Sequence, residues 1–205
     1  MRGGFFKMEG WGAESWINGD VNPIGTDSAV HGMLSPEKVD GKLQLQRAGP
    51  VVPLFSLPLW SPLIVTDDGK SLLSESGFAG LSFREVDYAN VVDIDWHTWD
   101  TDDGIPDDAI PIRHNYDFCC LILDPAEHRP DLVSTMPPVF EVVTALTLKL
   151  DYPDVEFRNY KNQELVNVVS DGTIRFPMVS EKGKQWFLQH GDWLHFTEVK
   201  AKQSE

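Results

Sequence analysis

Only two of the 205 residues are cysteine, and they are neighbours, Cys119 and Cys120. Adjacent thiols rarely bridge each other and there is no third to pair with. A disulfide framework is therefore excluded, and reduced core thiols in the apolar run DFCCLILD are expected. Burial there raises a thiol pKa and lowers its reactivity, which argues against cysteine catalysis. No apolar run approaches the roughly 20 residues of a membrane span. The stretch MRGGFFKMEGW lacks the apolar core of a signal peptide, so a cytoplasmic location is expected. Positive charge is scarce: 17 Lys and Arg face 32 Asp and Glu, for a net charge of −15. That field repels nucleic acid and anionic membranes and attracts basic partners. Lys182, Lys184, Lys200 and Lys202 form no stripe suited to nucleic acid and read as a solvated helix face.

Catalytic signatures are missing too. The chain has no G-x-S-x-G, no P-loop, no G-x-G-x-x-G and no H-E-x-x-H. Its six histidines, His31, His97, His114, His128, His190 and His195, show no ligand spacing with cysteine. No cofactor is expected.

What the chain does have is a hydrophobic content of 41%, with eleven Phe and seven Trp. At this length roughly 70% of the unfolded surface can be buried, enough for one sizeable core. One segment occurs twice. Residues 62–86 read PLIVTDDGKSLLSESGFAGLSFREV, and residues 176–199 read FPMVSEKGKQWFLQHGDWLHFTEV. Val65, Gly69, Lys70 and Gly77 align with Val179, Gly183, Lys184 and Gly191; after one lost residue, Phe83, Glu85 and Val86 align with Phe196, Glu198 and Val199. Each copy predicts strand, helix and strand. Thr66 and Ser180 stand at N-cap positions, with Asp67, Asp68 and Glu181 in the first turns. Leu72, Leu73, Trp186 and Phe187 supply the apolar faces. Gly77 and Gly191 fall where a C′ glycine belongs.

Elsewhere, Asp40-Gly41 and Asp171-Gly172 each predict a hairpin, within EKVDGKLQLQR and LVNVVSDGTIRF. Leu43 and Leu45 alternate with Gln44 and Gln46, as in a half-buried strand. The proline-rich residues 50–64 read as extended chain. Phe118–Leu123 and Val155–Phe157 read as strands, residues 124–138 as a long connection, and Val139–Leu150 suits a helix early and a strand late. The fold class expected is α+β: a single domain with two related lobes, about 1–90 and about 110–205, built on the two strand–helix–strand units and joined by mixed strands and long loops.

Between the copies, residues 93–108 read DIDWHTWDTDDGIPDD, with seven Asp in sixteen positions. With Gly104 in the sixth place of an EF-hand loop, Trp99 and Ile110 would hold the first and twelfth, where neither can ligate, so that motif is excluded. Three uses of the segment stay open. It can be a solvated acidic loop. It can be a divalent site of Asp93, Asp95, Asp100, Asp102 and Asp103 with His97 or His114, serving a metal-dependent hydrolase. It can be a partner-binding surface, in which Trp96 and Trp99 supply contact area and Asp100, Asp102, Asp103, Asp107 and Asp108 supply charge. A small-molecule or scaffold site between the lobes is a further alternative.

The repeated element, Ile64-Val65-Thr66 and Met178-Val179-Ser180, each followed by a helix and closed by Leu81-Ser82-Phe83 or Leu194-His195-Phe196, resembles one found in immunity proteins of bacterial polymorphic-toxin systems. The chain departs from that pattern where prolines would close the second strand: Arg84-Glu85 and Thr197-Glu198 stand there. The resemblance implies a non-enzymatic inhibitor that binds a cognate toxin in the producing cell, in a system of the kind served by type VI secretion. Its partner would be a basic effector domain, with no nucleic acid or membrane involved.

Overall fold

The computed structural model describes residues 5–9, 29–35, 37–58, 61–98, 125–149, 163–170 and 173–199. These form an α+β fold with two sheets. In chain order the elements are β1 (Phe5–Glu9), β2 (Met33–Leu34), β3 (Gln44–Gly49), β4 (Phe55–Ser56), β5 (Ile64–Thr66), α1 (Asp67–Glu75), β6 (Leu81–Asp93), α2 (Pro130–Val133), β7 (Val139–Thr144), β8 (Thr147–Lys149), β9 (Leu165–Ser170), β10 (Thr173–Ser180), α3 (Glu181–His190) and β11 (His195–Val199). One sheet runs β2-β3-β6-β7-β5-β4 and the other β11-β1-β10-β9-β8.

Both strand–helix–strand copies form, for the same physical reasons. The Thr66 hydroxyl accepts a hydrogen bond from the Gly69 amide at 3.2 Å, and the Ser180 hydroxyl from the Gly183 amide at 3.1 Å. Each satisfies an amide that the first helical turn leaves without a partner. The strand before each helix is tied back identically: the Thr66 amide donates to the Leu54 carbonyl and the Ser180 amide to that of Glu164. Gly69 and Gly183 sit directly over those carbonyls, and a Cβ at either would collide with the oxygen. Leu73 and Phe187 are the buried anchors of the two helices. Gly77 takes the positive φ (76°) of a C′ glycine. Gly191 does not; its φ is −134°. A Cβ there would meet Phe55 Cδ2 at 2.6 Å, so close packing is what requires glycine, and Trp193 carries the positive φ of that turn.

The lobes are not the contiguous stretches 1–90 and 110–205. In the first sheet β5 and β6 flank β7, which comes from the second half of the chain. In the second sheet β10 and β11 flank β1, which comes from the first half. The registers match: Val65 and Glu85 both face Phe140, while Val179 and Glu198 both face Phe6. Taken in chain order, each repeat begins with a strand that completes the other repeat's sheet. The two repeats have exchanged strands reciprocally. Lys70 lies over the Phe140 ring and Lys184 over the Phe6 ring, at 3.9 and 4.0 Å, so each helix also grips the exchanged strand through a cation–π contact.

The main core gathers side chains from both sheets and both long helices. Phe55, Leu73, Phe78 and Val142 meet Leu165, Val179, Phe187 and Leu194. Phe55 packs edge-on against Phe187 at 5.2 Å, and Phe78 against Trp186 at 5.2 Å. Asn167 joins the sheets, its amide donating to Thr144 Oγ1 and its side chain to the Val142 carbonyl.

The predicted hairpins pair, with Val39 bridging Lys42 around Asp40-Gly41 and Ser170 facing Thr173 across the second. Gln44 and Gln46 are buried, unlike the outer face of a half-buried strand, because all six residues of β3 are buried and both its faces are covered. Residues 139–144, with their helical reading, form strand throughout. The expected strands at 118–123 and 155–157, with Cys119 and Cys120, lie outside the described residues. Arg47, fully buried on β3, donates to the carbonyls of Val30, Ala48 and Val51 and so ties three segments together. Burial lowers its guanidinium pKa to about 10, which leaves it charged at neutral pH. Among the described residues no helix is long and apolar enough to cross a membrane.

Candidate functional site

The Asp-rich segment begins at the C-terminal end of β6. Ile94 is buried, Asp93 and Asp95 are exposed, and Trp96–Thr98 form a single 3₁₀ turn. Trp96, expected as a contact residue, is 1% exposed. Its ring packs edge-on against Trp193 at 5.9 Å and joins Ala29, Val30, Ala48, Val92 and Ile94. Trp96 is therefore an anchor that fixes where the acidic segment leaves the core, and its ring is not offered to a partner. Sequence alternation held the clue: Val92, Ile94 and Trp96 occupy every second position, with Asp93 and Asp95 between them. Trp99, Asp100, Asp102, Asp103, Asp107 and Asp108 lie outside the described residues.

The rim of this anchor is acidic. Arg129, from the turn before α2, bonds Asp93 through Nη1 and Asp131 through Nε and Nη2. Asp131 is held below the usual carboxylate range by those Arg129 hydrogen bonds, and the Arg129 pKa is raised by the same contacts. The segment carrying Arg129 is fastened to β6 by the Arg129 amide donating to the Val91 carbonyl and by a bridge between Val92 and His128. Asp93 and Asp131 thus share one guanidinium, with exposed Asp95 two residues beyond Asp93.

For the hydrolase alternative, His97 is exposed beside Trp96, and His114 lies outside the described residues. Among the described residues no group of three His, Cys, Asp or Glu side chains is placed to hold a metal ion. His31 is buried and its Nδ1 accepts from the Leu57 amide. His190 stacks on Trp186 at 4.4 Å and bonds the Trp186 carbonyl, closing the last turn of α3. For a site between the lobes, the structure offers the close-packed cluster in which Phe55 of β4 and Phe78, beyond α1, meet Trp186 and Phe187 of α3.

The start of β6 carries a second polar feature, a cleft lined in part by Arg84 and Glu141. Comparison with protein-family models, with curated proteins and with solved structures finds no match to this chain.

Proposed function

We propose that this chain is a non-enzymatic immunity protein of the bacterial cytoplasm that binds and neutralises a cognate toxin domain through an acidic surface. The observation that carries the reading is the acidic rim at the end of β6, where exposed Asp93 and Asp95 alternate with buried Ile94 and Trp96 and Arg129 ties Asp131 to Asp93. A net charge of −15 extends the same sign of field over the whole molecule. Many toxin domains attack nucleic acids and are basic, and an acidic inhibitor meets such a surface fast by electrostatic steering. Trp99, Asp100, Asp102, Asp103, Asp107 and Asp108 are the proposed contacts, with Trp96 behind them as their anchor. Carboxylates there would stand in for nucleic-acid phosphates against toxin Lys and Arg.

Affinity purification of the tagged chain from its native host at low salt tests this. The expected result is a stoichiometric complex with a basic toxin-like protein, weakened by added salt as the Debye length falls below about 8 Å. Replacing Asp100, Asp102 and Asp103 with Asn should slow association about tenfold or more. Recovery of no toxin-like partner at low salt would count decisively against the proposal.

A further inference from the structure

At the other end of β6, about 30 Å from the acidic rim at ~3.3 Å per residue, a cleft of about 290 Å3 is lined by Asp40, Lys42, Leu43, Arg84, Glu85 and Glu141. Glu141 is its unusual member. It sits in the middle of β7, facing Arg84 on one neighbouring strand and Ile64 on the other, and its side chain is 5% exposed. Its Oε1 accepts one hydrogen bond, from Arg84 Nη2 at 2.8 Å. No other donor among the described residues reaches the carboxylate, although such a group can accept about four. Glu141 lines the cleft, and among the described residues its second oxygen accepts no hydrogen bond.

The walls can rearrange. Lys42 bonds Glu85 at 2.8 Å and lies 3.4 Å from Asp87, and these pairs are exposed. Exposed pairs of this kind are worth about 0–1 kcal/mol, so they yield to a competing cation. Among the lining residues Asp40, Glu85 and Glu141 outnumber Lys42 and Arg84 by one, leaving the cleft negative.

The second repeat shows that the fold does not demand this arrangement. There the facing pair equivalent to Arg84 and Glu141 is Thr197 and Lys7, and Lys7 is satisfied by Glu9 and the Phe176 ring. Among the described residues no strand lies beyond β11, so the second repeat shows no counterpart there of the Asp40–Leu43 wall. Among the described residues the buried carboxylate and its cleft belong to the first repeat.

We infer that this cleft is a binding site for a guanidinium-bearing side chain of a protein partner. The free oxygen of Glu141 and the Glu85 carboxylate accept its hydrogen bonds, and Leu43 packs against its methylenes. A guanidinium suits the site better than an ammonium because it is less strongly hydrated and presents a planar fork of donors to a desolvated carboxylate. The inference does not depend on the toxin reading, because a small probe tests it on the isolated chain.

That test is an amide NMR titration of the full chain with N-acetyl-arginine amide, with the lysine and glutamate analogues as comparison. Saturable shifts are expected at Gly41, Leu43 and Glu85 at lower concentrations of the arginine amide than of the lysine amide, and none from the glutamate amide. Glu141→Gln should weaken binding about tenfold, the exposed Glu85→Gln about threefold, and Glu75→Gln, at the end of α1, not at all. If Glu141→Gln fails to fold, Glu85→Gln decides alone. Shifts that do not saturate, binding unchanged in the cleft variants, or equal binding of the lysine amide would each overturn the inference.

Discussion

Thr66 and Ser180 cap their helices through the same bond to the same position, and each helix then covers a strand supplied by the other repeat. Past the second strand of each copy the resemblance stops. β6 runs for 13 residues, leaves β7 and pairs with β3, whereas β11 ends after 5 at the sheet edge. The shared part is what the backbone needs: caps, close approaches and a buried anchor on each helix. The unshared part carries the groups a partner can use, the acidic rim at one end of β6 and the Glu141 cleft at the other. Divergence after duplication would leave this pattern, with the frame retained in both copies and binding chemistry added to one.

The largest effects are expected where both copies are strained at the same place. Gly69→Ala and Gly183→Ala each drive a methyl group into a backbone carbonyl, of Leu54 and Glu164 respectively. Each should destabilise the protein by about 2–3 kcal/mol, overpacking outweighing the better helix propensity of alanine. Chemical denaturation should give costs within about 1 kcal/mol of each other. A large cost at one position with none at the other would show that the frames are not equivalent.

A smaller effect sharpens the same point. Thr66→Ala and Ser180→Ala each remove one capping acceptor and should cost about 1 kcal/mol. Because each hydroxyl bonds only within its own helix turn, the double variant should cost the sum of the two. Cooperative loss beyond that sum would mean that the caps communicate through the shared core.

Much of the frame was legible in the sequence because capping, hairpin and alternation signals are local. Thr66, Ser180, Gly77 and the Asp40-Gly41 turn are chemistry acting over a few residues, and each behaves as its neighbours dictate. The strand exchange was hidden for the opposite reason. Phe6 and Phe140 occupy equivalent places, but their partners lie far off in sequence, and nothing local in FFKME or VFEVV states which sheet they will complete. Around Trp96 the acidic neighbours suggest exposure, while the alternation of Val92, Ile94 and Trp96 buries it. Glu141 carries no local signal of its burial: it lies between Arg84 on β6 and Ile64 on β5, neighbours far off in sequence.

The central claim is that binding segregates with the first repeat and the acidic segment that follows it. Hydrogen exchange of the chain, free and in complex with the partner recovered from the host, tests this most directly. The account predicts slowed exchange on binding across residues 93–108 and along β6, with α3 and β11 unchanged. Protection confined to α3 and β11, with residues 93–108 exchanging as in the free chain, would contradict it.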